Sequence, residues 1–219
     1  MIFAIVPVKR FENSKSRLAP LLSLQQRRTL SELMLDDTLA TLAASGCFAQ
    51  VLVVTGDLHA REIAGRRGAK VLFQESDAGV NSAVALADAH SARAGAQATV
   101  VVPQDLPLMN AADIAGVCAL AKDGPCVALC PSTRFDGTNI LLRRPPAAIA
   151  THYDNNSYEN HIRAAKEAGL AVQVINSKNL MFDLDTPDDA KELASMPDAR
   201  IAAKQTASFV KSALSGASR

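Results

Sequence analysis

Uninterrupted apolar runs recur along the first half of the chain, at residues 2–6, 51–54, 70–73 and 98–102. A strand covered on one face alternates apolar with polar; one buried on both faces does not. These runs therefore predict strands of a mostly parallel sheet packed on both sides. The segments between them have helical spacing. In residues 23–45, Leu35, Leu39 and Leu42 form a stripe that Leu30, Leu33 and Met34 widen, and Gly46 is placed to cap the helix end. Residues 57–67, 81–93 and 111–122 predict three more helices. Strand and helix in alternation predict right-handed crossovers in an α/β fold.

The second half is less regular. Residues 126–130 and 138–142 predict strands around a polar loop at 131–137, followed by a helix over 156–168 stopped by Gly169 and a strand at 171–175. Asp185-Thr186-Pro187-Asp188-Asp189 predicts another helix start, with proline in its first turn and carboxylates at the positive end of its dipole. The tail, residues 199–219, predicts a terminal helix fraying at 215–218. With no repeat and no linker, residues 1–219 read as a single domain.

Composition narrows the function. Lys+Arg of 23 against Asp+Glu of 22 leaves a formal charge of +1, and Trp is absent beside seven Phe and two Tyr. Neither a basic field nor an aromatic stacking surface points to nucleic acid. No apolar run approaches the roughly 20 residues that span a bilayer. The opening run lacks a basic flank and a cleavage site, so it reads as a strand. Cys47, Cys118, Cys126 and Cys130 lack C-x-x-C spacing and read as buried thiols of a reducing, cytoplasmic compartment. His59, His90, His152 and His161 have no zinc-site spacing.

Open α/β sheets bind ligands where strands end. After the first strand, Lys9, Arg10, Lys15 and Arg17 fall within nine residues, enough to neutralise a polyphosphate. Alone, such a cluster is more often a solvated loop. It is neither G-x-G-x-x-G nor a P-loop, which argues against a dinucleotide site. After the fourth strand, Pro103-Gln104-Asp105-Leu106-Pro107 fixes a carboxylate, either as a cation ligand or as an ordinary turn residue. Asp183 and Asp185, at i and i+2, point one way if the segment is extended, so one Mg²⁺ could meet both. Asp185 also reads as the cap of the next helix.

The order Lys9-x₅-Lys15-Ser16-Arg17-Leu18, Gln104-Asp105-Leu106-Pro107 and Asp183-Leu184-Asp185-Thr186-Pro187 resembles the MobA-like nucleotidyltransferases, and among them the CofC/FbiD family, from residue 2 to about 193. Asp77-x-Gly79-Val80-Asn81-x-Ala83, Gly137-Thr138-Asn139-x-Leu141-Leu142 and Tyr153-Asp154-Asn155-Asn156-Ser157-Tyr158-x-x-His161 are similar to further family segments. The resemblance implies a Rossmann-like three-layer sandwich of the nucleotide-diphospho-sugar transferase type. It also implies transfer of GMP from GTP to the phosphate of 2-phospho-L-lactate, phosphoenolpyruvate or 3-phosphoglycerate in coenzyme F(420) biosynthesis, by a homodimer.

Under this resemblance Lys9, Lys15, Arg17 and Asn81 meet the nucleotide, and Lys15 and Asp105 are catalytic. Asp105 and Asp185 hold Mg²⁺, with Asp183 a weaker candidate. Thr138, Asp154 and Ser157 meet the acceptor. Asn81 reads equally as a helix cap, and His161 as a structural helix residue. Asp154 departs from the family, which has glycine there. A different nucleotide or acceptor, or a binding module without turnover, remains the alternative.

Overall fold

Each of the seven predicted strands forms. The computed structural model describes residues 1–121 and 124–216. In chain order it contains β1 Ile2–Val8, α1 Leu24–Ser45, β2 Gln50–Thr55, α2 Leu58–Arg66, β3 Lys70–Phe73, α3 Gly79–Arg93, β4 Ala98–Val101 and α4 Ala111–Ala119. Then follow β5 Cys126–Pro131, β6 Thr138–Arg144, α5 Ser157–Glu167, β7 Ala171–Val174, α6 Lys178–Met181, α7 Pro187–Ser195 and α8 Lys204–Gly216. The strand order is β3-β2-β1-β4-β6-β5-β7. β1 runs parallel to β2 and β4, whereas β6 is antiparallel to both neighbours, β4 and β5.

Alternation along the strands sorts side chains into two apolar layers. Ala4, Val6, Val53, Val100 and Leu142 pack against Leu35 of α1, Ile63 of α2 and Ile114 of α4. Phe3, Ile5, Leu52, Val101 and Leu141 face the other way, toward Val84 of α3 and Ala165 of α5. This is the three-layer sandwich expected. A third cluster lies off the sheet, where Leu18, Leu108 and Leu184 from three loops meet Leu30 of α1, Leu193 of α7 and Val210 of α8.

The departures from expectation have local causes. β1 continues through Pro7, which has no N–H. Val102 donates to Ile5 O, and two residues on, the same edge of β1 faces Pro103, where β4 has ended and no donor is needed. The two strands part there and open a cleft. α3 begins two residues before Asn81, and α4 ends at Ala119; Lys122 lies outside the described residues. The tail is helical only from Lys204, after a 3₁₀ turn at Asp198–Arg200. Buried Thr206 donates its N–H and hydroxyl to Asp37 of α1, fixing α8. Ser215 and Gly216 remain helical rather than frayed, and the rest of the expected fray lies outside the described residues.

Candidate active site

A cleft of about 620 Å³ lies over the carboxyl ends of β1 and β4, bounded by the loops predicted to carry chemistry. The basic loop is folded, and one of its cations is turned inward. Two 3₁₀ turns, Phe11–Asn13 and Ser16–Leu18, bury Phe11 and Leu18 as anchors. Between them Lys15 takes a left-handed conformation (φ 51°), a cost of about 1–3 kcal/mol that the anchors must hold in place. The turn sends its side chain inward, 6% exposed, while Arg17 remains 70% exposed and Lys9 lies exposed on the cleft. Arg10 donates instead to Glu75 O, away from the cleft centre.

Lys15 Nζ lies 2.7 Å from Asp105 Oδ2 and 2.7 Å from Asp185 Oδ1. Burial alone would favour the neutral amine. The charges and hydrogen bonds of the two aspartates win and hold Lys15 firmly protonated. Burial also disfavours an ionised Asp185, but Lys15, helped by Arg17 and Arg134, keeps its carboxyl below the usual range.

Hydrogen bonds to backbone carbonyls, one from main chain and one set from a side chain, bring these aspartates together from 80 residues apart. Leu184, fully buried, donates its N–H to Asp105 O at 3.0 Å. Asn139 on β6 donates its side-chain amide to Leu180 O and Met181 O, holding the segment that leads to Asp183.

Asp185 is not the cap of α7. Thr186 is the cap, accepting from Asp189 N, while the Asp189 carboxylate accepts from the N–H groups of Thr186 and Asp185. The Asp185 side chain is thereby left free for the cleft. Asp183 does not join Asp185 on Lys15, because residues 182–186 do not form a strand and the i, i+2 alignment is lost. Burial first, then the charges of Asp105 and Asp185, push its carboxyl up to about 6. Among the described residues no three carboxylates, imidazoles or thiols converge on one point. Asp105 and Asp185 do offer oxygens to one point, now held by an ammonium. A pair of hard carboxylate oxygens facing an open cleft fits Mg²⁺, which commonly takes one or two carboxylates and keeps other positions for phosphates and water.

The opposite wall is built on β6 and α5. His161 is fully buried, and its Nε2 accepts from His152 N at 2.8 Å. A neutral ring accepting there carries its proton on Nδ1, which donates to Thr138 Oγ1 at 3.0 Å. The Thr138 hydroxyl thus keeps its own proton for a partner in the cleft it lines. Burial, with His152 and Arg143 nearby, lowers the His161 pKa to about 4, so the ring is neutral near pH 7. Ser157 opens α5 beside Thr138, after Asn156 in a left-handed turn, and both line the cleft with Asp154.

Asn81 is neither the cap of α3 nor a lining residue of this cleft. It accepts from Tyr153 N and donates to Asp154 Oδ2, joining α3 to the Asp154 loop. A smaller pocket adjoins, floored by Pro7, Val54, Val80 and Ala83 and rimmed by Gly56 and Gln74. A Cβ at Gly56 would strike the Gln74 carbonyl, so only glycine lets β2 and β3 close this rim. Gly56 and Arg134 escape sequence reasoning. Glycine directly after the β2 run is the signal for the first, and a cation in the polar 131–137 loop for the second.

The thiols are not part of the site. Cys118, Cys126 and Cys130 are buried and Cys47 half-buried, and burial pushes Cys118 up to about 12 and Cys130 up to about 11. Among the described residues no helix is long and apolar enough to cross a membrane.

The model of the family described as guanylyl transferase CofC like matches residues 2–211. A phosphoenolpyruvate guanylyltransferase of Rubrobacter xylanophilus is 38% identical over 192 residues, 88% of this chain and 93% of that protein. A 3-phospho-D-glycerate guanylyltransferase of Colwellia psychrerythraea is 36% identical, covering 87% and 90%. A 2-phospho-L-lactate guanylyltransferase of Methanothermobacter thermautotrophicus is 34% identical, covering 87% and 82%. Among solved structures, a chain of the nucleotide-diphospho-sugar transferase type from Desulfovibrio desulfuricans G20 superposes with a TM-score of 0.75 at 16% identity, covering 98% of this chain and 97% of that one. A nucleotidyl transferase from Methanothermobacter gives 0.61 at 15%, covering 88% and 95%. At such identities the likeness shows the fold.

Proposed function

We propose a reaction from one premise: this chain belongs to the CofC-like guanylyl transferase family. It moves GMP from GTP to the phosphate of a small phospho-carboxylic acid of the kinds named for its relatives, phosphoenolpyruvate, 3-phospho-D-glycerate or 2-phospho-L-lactate. An acceptor phosphate oxygen attacks the α-phosphorus, the bond to the bridging β-oxygen breaks, and pyrophosphate leaves with that electron pair. A phosphate monoester is already ionised near neutral pH, its second pKa being about 6, so no general base is needed. His161, neutral and turned to Thr138, is left with a positioning part only.

The observation that carries the reading is the buried Lys15 ammonium held 2.7 Å from both Asp105 and Asp185 in the lining of the cleft. Positioning and charge neutralisation supply the catalysis. Lys15, with Lys9 and Arg17, offsets charge on the triphosphate and on the leaving pyrophosphate. Asp105 and Asp185 would hold Mg²⁺, which would neutralise phosphate charge when bound; Asp183 stands beside them as a charge neighbour. The apolar slot rimmed by Gly56 and Gln74 takes the base, with Asn81 acting behind it on the Asp154 loop. Thr138 and Ser157 donate hydroxyls to the acceptor. The product belongs to coenzyme F(420) biosynthesis, in the cytoplasm.

The test is a matrix of GTP, ATP, CTP and UTP against the three acids with Mg²⁺, read by pyrophosphate release and product mass. The GTP row is expected to yield product. Calorimetric GTP binding with no pyrophosphate from any pair overturns the reading.

A further inference from the structure

We propose that Asp154 makes this chain select a phosphorylated acid that keeps a free hydroxyl, the phosphoglycerate class, over acids that have none. The inference rests on the guanylyl-transfer reading and adds the choice of acceptor to it. Asp154 is exposed on the cleft that Thr138 and Ser157 also line, and it is not among the residues lining the apolar base slot. Its carboxylate is held in place. Asn81 Nδ2 donates to Oδ2 at 3.2 Å, and Asn81 is itself fixed because its Oδ1 accepts from Tyr153 N at 2.9 Å. That leaves Oδ1 of Asp154, a residue lining the cleft, with no Lys or Arg paired to it among the described residues.

A carboxylate accepts hydrogen bonds and donates none. The acceptors are anions at both ends, and an anion brought against an uncompensated carboxylate is repelled. A free hydroxyl changes the sign of that encounter. It donates to Oδ1 in a charge-assisted bond while Thr138 and Ser157 donate to the anionic oxygens. Of the three acids named for the relatives, 3-phospho-D-glycerate has a free C2 hydroxyl; phosphoenolpyruvate and 2-phospho-L-lactate have no hydroxyl outside their acid groups. A site built to pair a substrate hydroxyl discriminates strongly against the analogue lacking it.

The experiment measures kcat/KM with GTP for 3-phospho-D-glycerate, 2-phospho-D-glycerate, phosphoenolpyruvate and 2-phospho-L-lactate, in the wild type and in Asp154→Gly and Asp154→Asn. The wild type is expected to favour a phosphoglycerate by about 10- to 100-fold, the factor one charge-assisted hydrogen bond carries. Asp154→Gly is expected to cut that preference at least about tenfold, and Asp154→Asn, which still accepts, to cut it less. A wild type that prefers a hydroxyl-free acid overturns the proposal. So does Asp154→Gly leaving the ranking unchanged, or raising the GTP KM equally with every acceptor, which would place the carboxylate on the nucleotide. Transfer to none of the acids defeats the guanylyl-transfer reading itself, a different result from transfer with an unaltered ranking.

Discussion

Among the described residues, Arg143 and Lys15 both bury a cation between partners, and the two are built differently. Arg143 on β6 is 1% exposed and bonds Asp88 of α3 with both arms of its fork, at 2.7 and 2.8 Å, with Ile149 O and Thr99 as further acceptors. Lys15 meets two carboxylates on separate loops, and those carboxylates are 21% and 33% exposed. A planar fork matched to one carboxylate in a sealed site is a fixed joint. A compact ammonium between two half-open carboxylates holds a place that phosphate or metal chemistry can enter. The same pairing of charge sits in a sealed interior in the first case and lines an open cleft in the second. Burial of the carboxylates, not of the cation, tells them apart.

Removing one partner from each cluster is expected to separate the two most strongly. Asp88→Ala strands a buried guanidinium and is expected to cost about 3–5 kcal/mol in urea unfolding. Replacing both members by apolar residues, Asp88→Leu with Arg143→Met, is expected to recover most of that loss. Asp185→Asn is expected to do the reverse: turnover falls about 10²- to 10³-fold at saturating GTP, while stability moves by less than about 1 kcal/mol, Asp185 being partly exposed. Near-wild-type turnover in both Asp105→Asn and Asp185→Asn under saturating Mg²⁺ would remove the cation site from the mechanism.

A third cluster sharpens the contrast through pH. His161 has a folded pKa of about 4 against about 6.5 unfolded, so the unfolded chain binds the extra proton between those values. Its contribution to stability is complete above about pH 6.5 and is lost as pH falls toward 4, roughly 3 kcal/mol in all. Urea unfolding from pH 7 to 4.5 is expected to show this slope in the wild type and to lose that component in His161→Gln. The smallest effect belongs to the α7 cap. Thr186→Ala is expected to cost about 1 kcal/mol. A fall in turnover well beyond that expected from lost stability would show that the cap also aims Asp185.

How much of this the sequence discloses depends on the range of the interaction. The inner strands are legible because a run buried on both faces needs nothing but its own apolar residues, whereas the half-exposed edge strands β3 and β7 are legible only as short apolar-rich runs. Gly46 is legible for the same local reason, at φ 64°. The chemistry is legible as a set of loops but not as an arrangement. Lys9, Arg10, Lys15 and Arg17 look alike in sequence, and only the burial of Phe11 and Leu18 on either side of Lys15 sends that one cation inward. Asp185 and Thr186 are both good cap formers, so sequence alone does not choose between them. Asn81 reads as a cap or a base contact because its partners, Tyr153 and Asp154, lie more than 70 positions away.

The backbone link from Leu184 to Asp105 joins the middle of the chain to its last fifth. Residues 183–185 are thus tied to the loop after β4 by main chain as well as by the two ion pairs to Lys15, so a shift of either loop carries both carboxylates with it.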